Sequence, residues 1–149
     1  MTVQFPASLP NIPNPYLNLL GARLLALRQG YAEFVLDIKA HHLNKHHMLH
    51  GGAIASLLDV SCGYAGLIDD DGSMVDAITL SLTVTYLSAV NKGRLRAVGE
   101  ITGGGRNIYF ADASIFTQDG KLVARATGTF KRSRSAGTQA LNKSTGVSD

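Results

Sequence analysis

A chain of 149 residues is long enough for one domain with a sizeable core and too short for two ordinary ones. Hydrophobic residues make up 45% and charged residues 17%, a globular composition that excludes a largely disordered chain. The formal net charge of +3 comes without the dense basic stripe of a nucleic-acid binder, and no apolar run reaches the roughly 18 to 20 residues of a membrane helix. The single cysteine, Cys62, allows no intrachain disulfide, which fits a reducing compartment.

Met1 to Pro15 has no Lys or Arg and carries Pro6, Pro10, Pro13 and Pro15. It reads as an extended arm without the charged start and apolar stretch of a signal peptide, so a cytoplasmic location is expected. Two strands follow, about Ala22 to Arg28 and Tyr31 to Lys39, separated by Gln29-Gly30. In the second, Ala32, Phe34, Leu36 and Ile38 alternate with Glu33, Val35, Asp37 and Lys39, the pattern of a half-buried antiparallel strand.

His41 to His50 holds all five histidines. Gly51 to about Leu67 is too long for a strand and poor in β-branched residues, so it reads as a helix. Apolar nearly all round, it reads as a buried one. Asp69-Asp70-Asp71-Gly72 is a solvated turn that lacks the alternating ligands and closing Glu of a calcium loop. The remainder is strand-rich: Val75 to Leu87, Arg94 to Thr102 and Asn107 to Thr117. After the hairpin signal Gln118-Asp119-Gly120-Lys121 comes Leu122 to Lys131. Beyond Arg134 the Ser, Thr, Gly and Asn content predicts a disordered tail.

The expected organisation is an arm (1–15), one folded domain (16–134) and the tail (135–149). Two strands, one long buried helix and four strands predict an α+β domain, an antiparallel sheet of about six strands wrapped around a central helix. One helix cannot cover both faces of such a sheet, so a second copy of the chain is expected to cover the rest.

The chemistry concentrates between Asn44 and Asp59. Gly51-Gly52 opens the helix, where backbone N–H groups lack intrahelical partners and the helix dipole favours negative charge. Glycine lets a ligand atom approach closely, which suits a site for an oxyanion. Asp59 stands two turns in, above Ala55, Ser56, Cys62 and Gly63, all small. A carboxylate there is either tied to a neighbouring backbone group or Arg, or used in chemistry. Asn44 and His50 can each cap a loop or meet a substrate.

Asn44, His50, Gly51, Gly52 and Asp59, at this spacing, make the chain resemble the PaaI-like branch of hotdog-fold acyl-CoA thioesterases. In that branch an Asn is followed three residues on by Gly, then by His-Gly-Gly, with an acid nine residues beyond the His. His47 stands where the branch has Gly. The resemblance runs from about Asn14 to Lys131. It implies a hotdog fold and hydrolysis of a small or medium acyl- or aryl-CoA to free acid and CoA; no cofactor is expected, and the uncovered sheet predicts a homodimer paired into a tetramer. Gly51 would offer its N–H to the thioester oxygen, beside Gly52, and Asp59 would act as nucleophile or as the base that activates water. Asn44 would orient the water or the thioester, and His50 would shape the loop or bond near the leaving thiol. Thr79 and Tyr86, a hydroxyl residue seven positions before a strand Tyr, match a recurring pair that helps place the water. Asp59 and Thr79 are expected to meet across a two-fold interface. Gly105, Arg106, Asn107 and Ile108 occupy the turn that meets the pantetheine arm in relatives, with a flexible turn as the rival reading. Lys131 and Arg132 would steer phosphates, with a solvated basic end as the rival.

Three competitors are weaker. His46 and His50 are four apart, as two metal ligands on one helical face would be, but the helix starts after His50, and no Cys, Asp or Glu lies between residues 40 and 58. No metal is therefore expected. Same-fold dehydratases use a Gly-His-Phe-Pro-like loop absent here. A protein that holds acyl-CoA without cleaving it would not need Asp59.

Overall fold

The computed structural model describes residues 9–134. The first eight residues and the expected tail 135–149 lie outside the described residues. The elements in chain order are α1 (Pro15–Leu20), β1 (Arg23–Arg28), β2 (Tyr31–Asp37), a 3₁₀ turn (Ala40–His42), α2 (Gly51–Ala65), β3 (Asp76–Tyr86), β4 (Arg94–Gly104), β5 (Ile108–Thr117) and β6 (Leu122–Ser133). The strands and the long helix fall where the hydrophobic patterning predicts, within one or two residues at most ends.

Helix α1 occupies the stretch between the expected arm, which ends at Pro15, and β1, where the sequence reading assigns no element. Its start is chemically well defined: Asn14 Oδ1 accepts from Leu17 N, and Pro15 takes the first helical position, where a missing N–H costs nothing. Gly21, at φ 82, ends it in the left-handed conformation. Leu17 and Leu20 are buried and anchor the short helix to the core.

The six strands form one antiparallel sheet in the order β1-β2-β4-β5-β6-β3. Helix α2 crosses from the β2 side to the far edge, where β3 pairs only with β6 among the described strands. Ile54, Leu57, Leu58, Ser61, Cys62, Tyr64 and Ala65 of α2 are buried against sheet residues such as Leu95, Tyr109, Ile115, Val123 and Phe130. Gly99 on β4 lets the helix settle this close: a Cβ there would lie 2.0 Å from Ser61 O. The less buried side of α2 carries Gly52, Ser56, Asp59 and Gly63, at the spacing of one helical face.

Strand β3 carries a bulge. Its pairing with β6 runs Thr79 to Phe130 and then Ser81 to Thr129, so Leu80 is an extra residue. Before the bulge Ala77 and Thr79 face α2; after it Leu82 and Val84 pack on the core and Tyr86 reaches Gly51. Seven residues would put Thr79 and Tyr86 on opposite faces of a regular strand. The bulge puts them on the same one.

Candidate active site

The start of α2 is capped from outside and from within. His50 has extended backbone, and its Nδ1 accepts from Gly52 N at 2.8 Å. Its own N–H donates to His42 O at 2.8 Å, and its carbonyl accepts from Ala53 N as well as from Ile54 N, the first intrahelical bond. Of the four orphan N–H groups at this helix start, that leaves Gly51 N–H as the one with no acceptor among the described residues. His50 Nδ1 is thereby the acceptor nitrogen, which puts any proton of the neutral ring on Nε2. Tyr86 flanks the free amide, donating its hydroxyl to Gly51 O at 3.0 Å.

Asp59 sits half-buried, with Oδ1 accepting from Thr79 Oγ1 at 2.8 Å. This corrects the expectation of a meeting across two subunits: the bulged β3 brings Thr79 to Asp59 within one chain. The bond engages one carboxylate oxygen and leaves the other for a ligand. Asp59 and Thr79 line a cavity of about 340 Å³ with Ile12, Tyr16, Val60 and Phe130. A second carboxylate, Asp76, and the Tyr64 hydroxyl also border it. The Tyr64 oxygen accepts from Asn14 Nδ2 at 3.2 Å. Ser56 and Tyr16, likewise absent from the expectation, join across it through a 2.8 Å hydrogen bond.

Asn44 holds its loop. Its Oδ1 accepts from His46 N and Met48 N, and its backbone closes the turn through Asn44 N to Met48 O at 2.7 Å and His47 N to Asn44 O at 2.9 Å. His47 takes φ 57, so the left-handed backbone is kept here without glycine. The loop-cap reading of Asn44 is thus realised, and its side-chain amide is the part left to meet a substrate. His42 is buried, accepting from Lys39 N at Nδ1 and meeting Leu20 O at 2.6 Å through Nε2. Among the described residues no group of three His, Cys, Asp or Glu is placed to hold a metal ion.

The glycine turn lies at the other end of α2. Arg132 stacks over the Tyr109 ring and donates to the carbonyls of Gly66, Gly105 and Arg106. Arg134 donates to Asn107 Oδ1, Arg106 O and Asp69. Both earlier readings of Arg132, a phosphate contact and a solvated end, give way to a half-buried clamp on this turn. The same clamp ties down this turn, whose Gly105 and Arg106 border a cavity of about 440 Å³ with Gln29, Gly30 and Asp70. The Arg106 side chain remains exposed. Lys131 alternates with the buried Phe130 and so points to the face away from Asp59, next to Ile108 and Ile78 in register.

Burial, with the nearby Asp59 and Asp112 carboxylates, pushes the Cys62 thiol up to about 12. It is a core residue, not a nucleophile. Burial also raises the Tyr109 hydroxyl, which donates to Gly63 O at 2.8 Å.

A long helix cradled by a six-stranded antiparallel sheet is the hotdog fold. The chain belongs to the thioesterase superfamily, whose family model matches residues 46–124. It is similar to the acyl-coenzyme A thioesterase PaaI of Escherichia coli, 29% identical, over 76% of this chain and 79% of that protein. Among solved structures it is similar to the E. coli PaaI protein from the phenylacetic acid degradation operon, with TM-score 0.72 and 25% identity over 80% of this chain and 85% of that one. A conserved protein of Pseudomonas aeruginosa superimposes with TM-score 0.73 at 33% identity, covering 81% of this chain and 95% of that chain.

Proposed function

We propose that this protein hydrolyses the thioester of a small or medium acyl- or aryl-CoA. The observation that carries the reading is that α2 holds two unsatisfied groups: the free Gly51 N–H at its start and, two turns on, the free oxygen of Asp59 at a cavity. Asp59 takes the proton of a water that adds to the thioester carbonyl carbon. The carbonyl oxygen becomes an oxyanion on a Gly51 N–H, and its collapse breaks the carbon–sulfur bond, expelling CoA thiolate, which then takes up a proton. If Asp59 attacks directly, an acyl–aspartyl anhydride forms and water hydrolyses it. Single turnover in ¹⁸O-water identifies direct attack when water opens the anhydride at the aspartyl carbonyl, because the first product then carries an unlabelled enzyme oxygen and Asp59 carries the label.

Gly51 and Asp59 are eight residues apart, about 12 Å along the axis at about 1.5 Å per residue. A reacting thioester needs its attacking oxygen about 3 to 3.5 Å from the carbon and its oxyanion donor about 2.7 to 3.1 Å from the oxygen. One helix therefore serves either end of the thioester but not both. In this reading Gly51 of a second copy faces Asp59 across a two-fold axis, with α2 helices antiparallel, making the functional unit at least a dimer.

The test is a hydrolysis screen over aromatic and aliphatic acyl-CoAs, detecting released thiol. Release above background with at least one of them is expected. Silence across the panel would leave a protein that binds acyl-CoA without cleaving it.

A further inference from the structure

Two cavities flank α1, and one contact separates them. The first holds Asp59 and Thr79; the second, of about 620 Å³, is walled by Leu19, Leu20, Leu43 and Ala53 beside His50 and Gly52. Tyr16 and Ser56 are the residues that line both. Ser56 Oγ donates to Gly52 O at 2.8 Å, so in the 2.8 Å bond between the two hydroxyls Tyr16 is the donor and Ser56 the acceptor. Ser56 is fixed by its helix, and the Tyr16 hydroxyl is tied to it by that bond, with α1 anchored to the core by the buried Leu17 and Leu20.

Resting on the acyl-CoA reading above, we infer that Tyr16 is a specificity-determining residue: its ring is the partition that ends the acyl pocket. The space behind it is larger and mostly apolar. An acyl chain that passed Tyr16 would keep burying methylene groups, each adding about fourfold to affinity or to kcat/KM where it finds an apolar wall. With Tyr16 latched to Ser56, chains long enough to reach the ring meet it and lose that gain. Tyr16 is 56% exposed, so replacing it does not open the core.

The experiment uses straight-chain acyl-CoAs from butanoyl- to hexadecanoyl-CoA on wild type, Tyr16→Phe, Tyr16→Ala, Tyr16→Trp and Ser56→Ala. Turnover gives kcat/KM for each length. Dissociation constants for the same series are measured on the Asp59→Asn protein with and without each change, so the length profile is read even where nothing is hydrolysed. Tyr16→Ala is expected to move the optimum to longer chains, with about a fourfold gain per added methylene past the wild-type cut-off. Tyr16→Trp should move it to shorter ones. Tyr16→Phe and Ser56→Ala keep the ring but lose the latch, and should blur the cut-off without removing it. A length profile that shifts in binding while no variant turns over would uphold the partition and sink the hydrolase reading. A Tyr16→Ala protein that scales every chain length by one factor, in both readouts, would overturn the partition. Should that variant not fold, an unchanged profile in Tyr16→Trp and Tyr16→Phe overturns it equally.

Discussion

Thr79 and Asp59 meet within one chain, hydroxyl to carboxylate at 2.8 Å, although twenty residues and a loop separate them. The bond fixes one oxygen of Asp59 and leaves its partner oxygen directed by default to whatever fills the cavity. Asp59→Asn keeps size and polarity but loses the base and most of the nucleophilicity. Turnover should fall about a hundredfold or more, with thermal melting and acyl-CoA binding nearly unchanged. Thr79→Ala removes only the positioning bond and should cost about tenfold, the equivalent of about 1.4 kcal/mol. A folded Asp59→Asn protein with more than about a tenth of wild-type turnover would make Asp59 structural.

Sharing of the site between copies can be read from mixtures of two inactive variants. Gly51→Ala crowds the oxyanion position, and its Cβ would meet Tyr86 at an ordinary 3.4 Å, so folding should survive. Coexpressed with Asp59→Asn, it forms mixed dimers in which one site keeps both wild-type groups. Random pairing then restores about a quarter of wild-type activity. Sites contained within single chains would restore none.

Gly99 and Gly105 make a matched pair for stability. A Cβ on Gly99 would sit 2.0 Å from Ser61 O, whereas one on Gly105 meets nothing within 4 Å. Gly99→Ala must push α2 off the sheet and should cost about 1 to 3 kcal/mol or more. Gly105→Ala should melt within a degree or two of wild type. Equal melting temperatures for the two variants would show that helix and sheet can separate without penalty.

At His47 the φ of 57 strains a side chain that is not glycine. Left-handed backbone costs such a residue about 1 to 2 kcal/mol, against about 0.5 to 1 kcal/mol for the extra freedom glycine loses on folding. His47→Gly should therefore stabilise by about 0.5 to 1 kcal/mol, and the β-branched His47→Val should destabilise. The check is denaturant titration of both. A less stable glycine variant would mean that the imidazole itself holds the loop.

Asp69 ties the exit of α2 to the end of β6. Hydrogen bonds from Arg134, then from the Asp70 N–H, hold its carboxyl below the usual carboxylate range. A depressed folded pKa contributes stability above the unfolded value, and that contribution disappears as pH falls through the folded one. Asp69→Asn should therefore melt below wild type at pH 7, with the gap closing below about pH 4. A gap constant down to pH 2 would assign the loss to packing.

The sequence made the long helix, the six strands and the Asn44 to Asp59 spacing legible, because period and turn chemistry are local properties. The start of α1 was legible too, in Asn14-Pro15 and the closing Gly21, but six residues carry little periodicity and four prolines suggested an arm. Tyr16, Ser56 and Asp76 could not be assigned, since nothing local shows that α1 folds onto α2 beside the first turn of β3. The fate of Arg132 was equally hidden: a basic residue at a strand end gives no hint that three carbonyls converge on it. Thr79 was expected across a subunit boundary because it lies far from Asp59 in sequence, and nothing local marks the bulge at Leu80 that interrupts the alternation of β3 and brings the two together.

That interruption of alternation also sets what kind of genetic change the protein tolerates least. Leu80 is 55% exposed, and most side chains there should be accepted. Removing it would leave a regular strand with Thr79 and Tyr86 six positions apart, still on one face with Leu82 and Val84. Adding a residue between positions 80 and 86 is another matter: it turns one of the two away from α2, so either the hydroxyl leaves Asp59 or the phenol leaves Gly51. A single in-frame codon gained there should be more damaging than the loss of Leu80 or any substitution at that position.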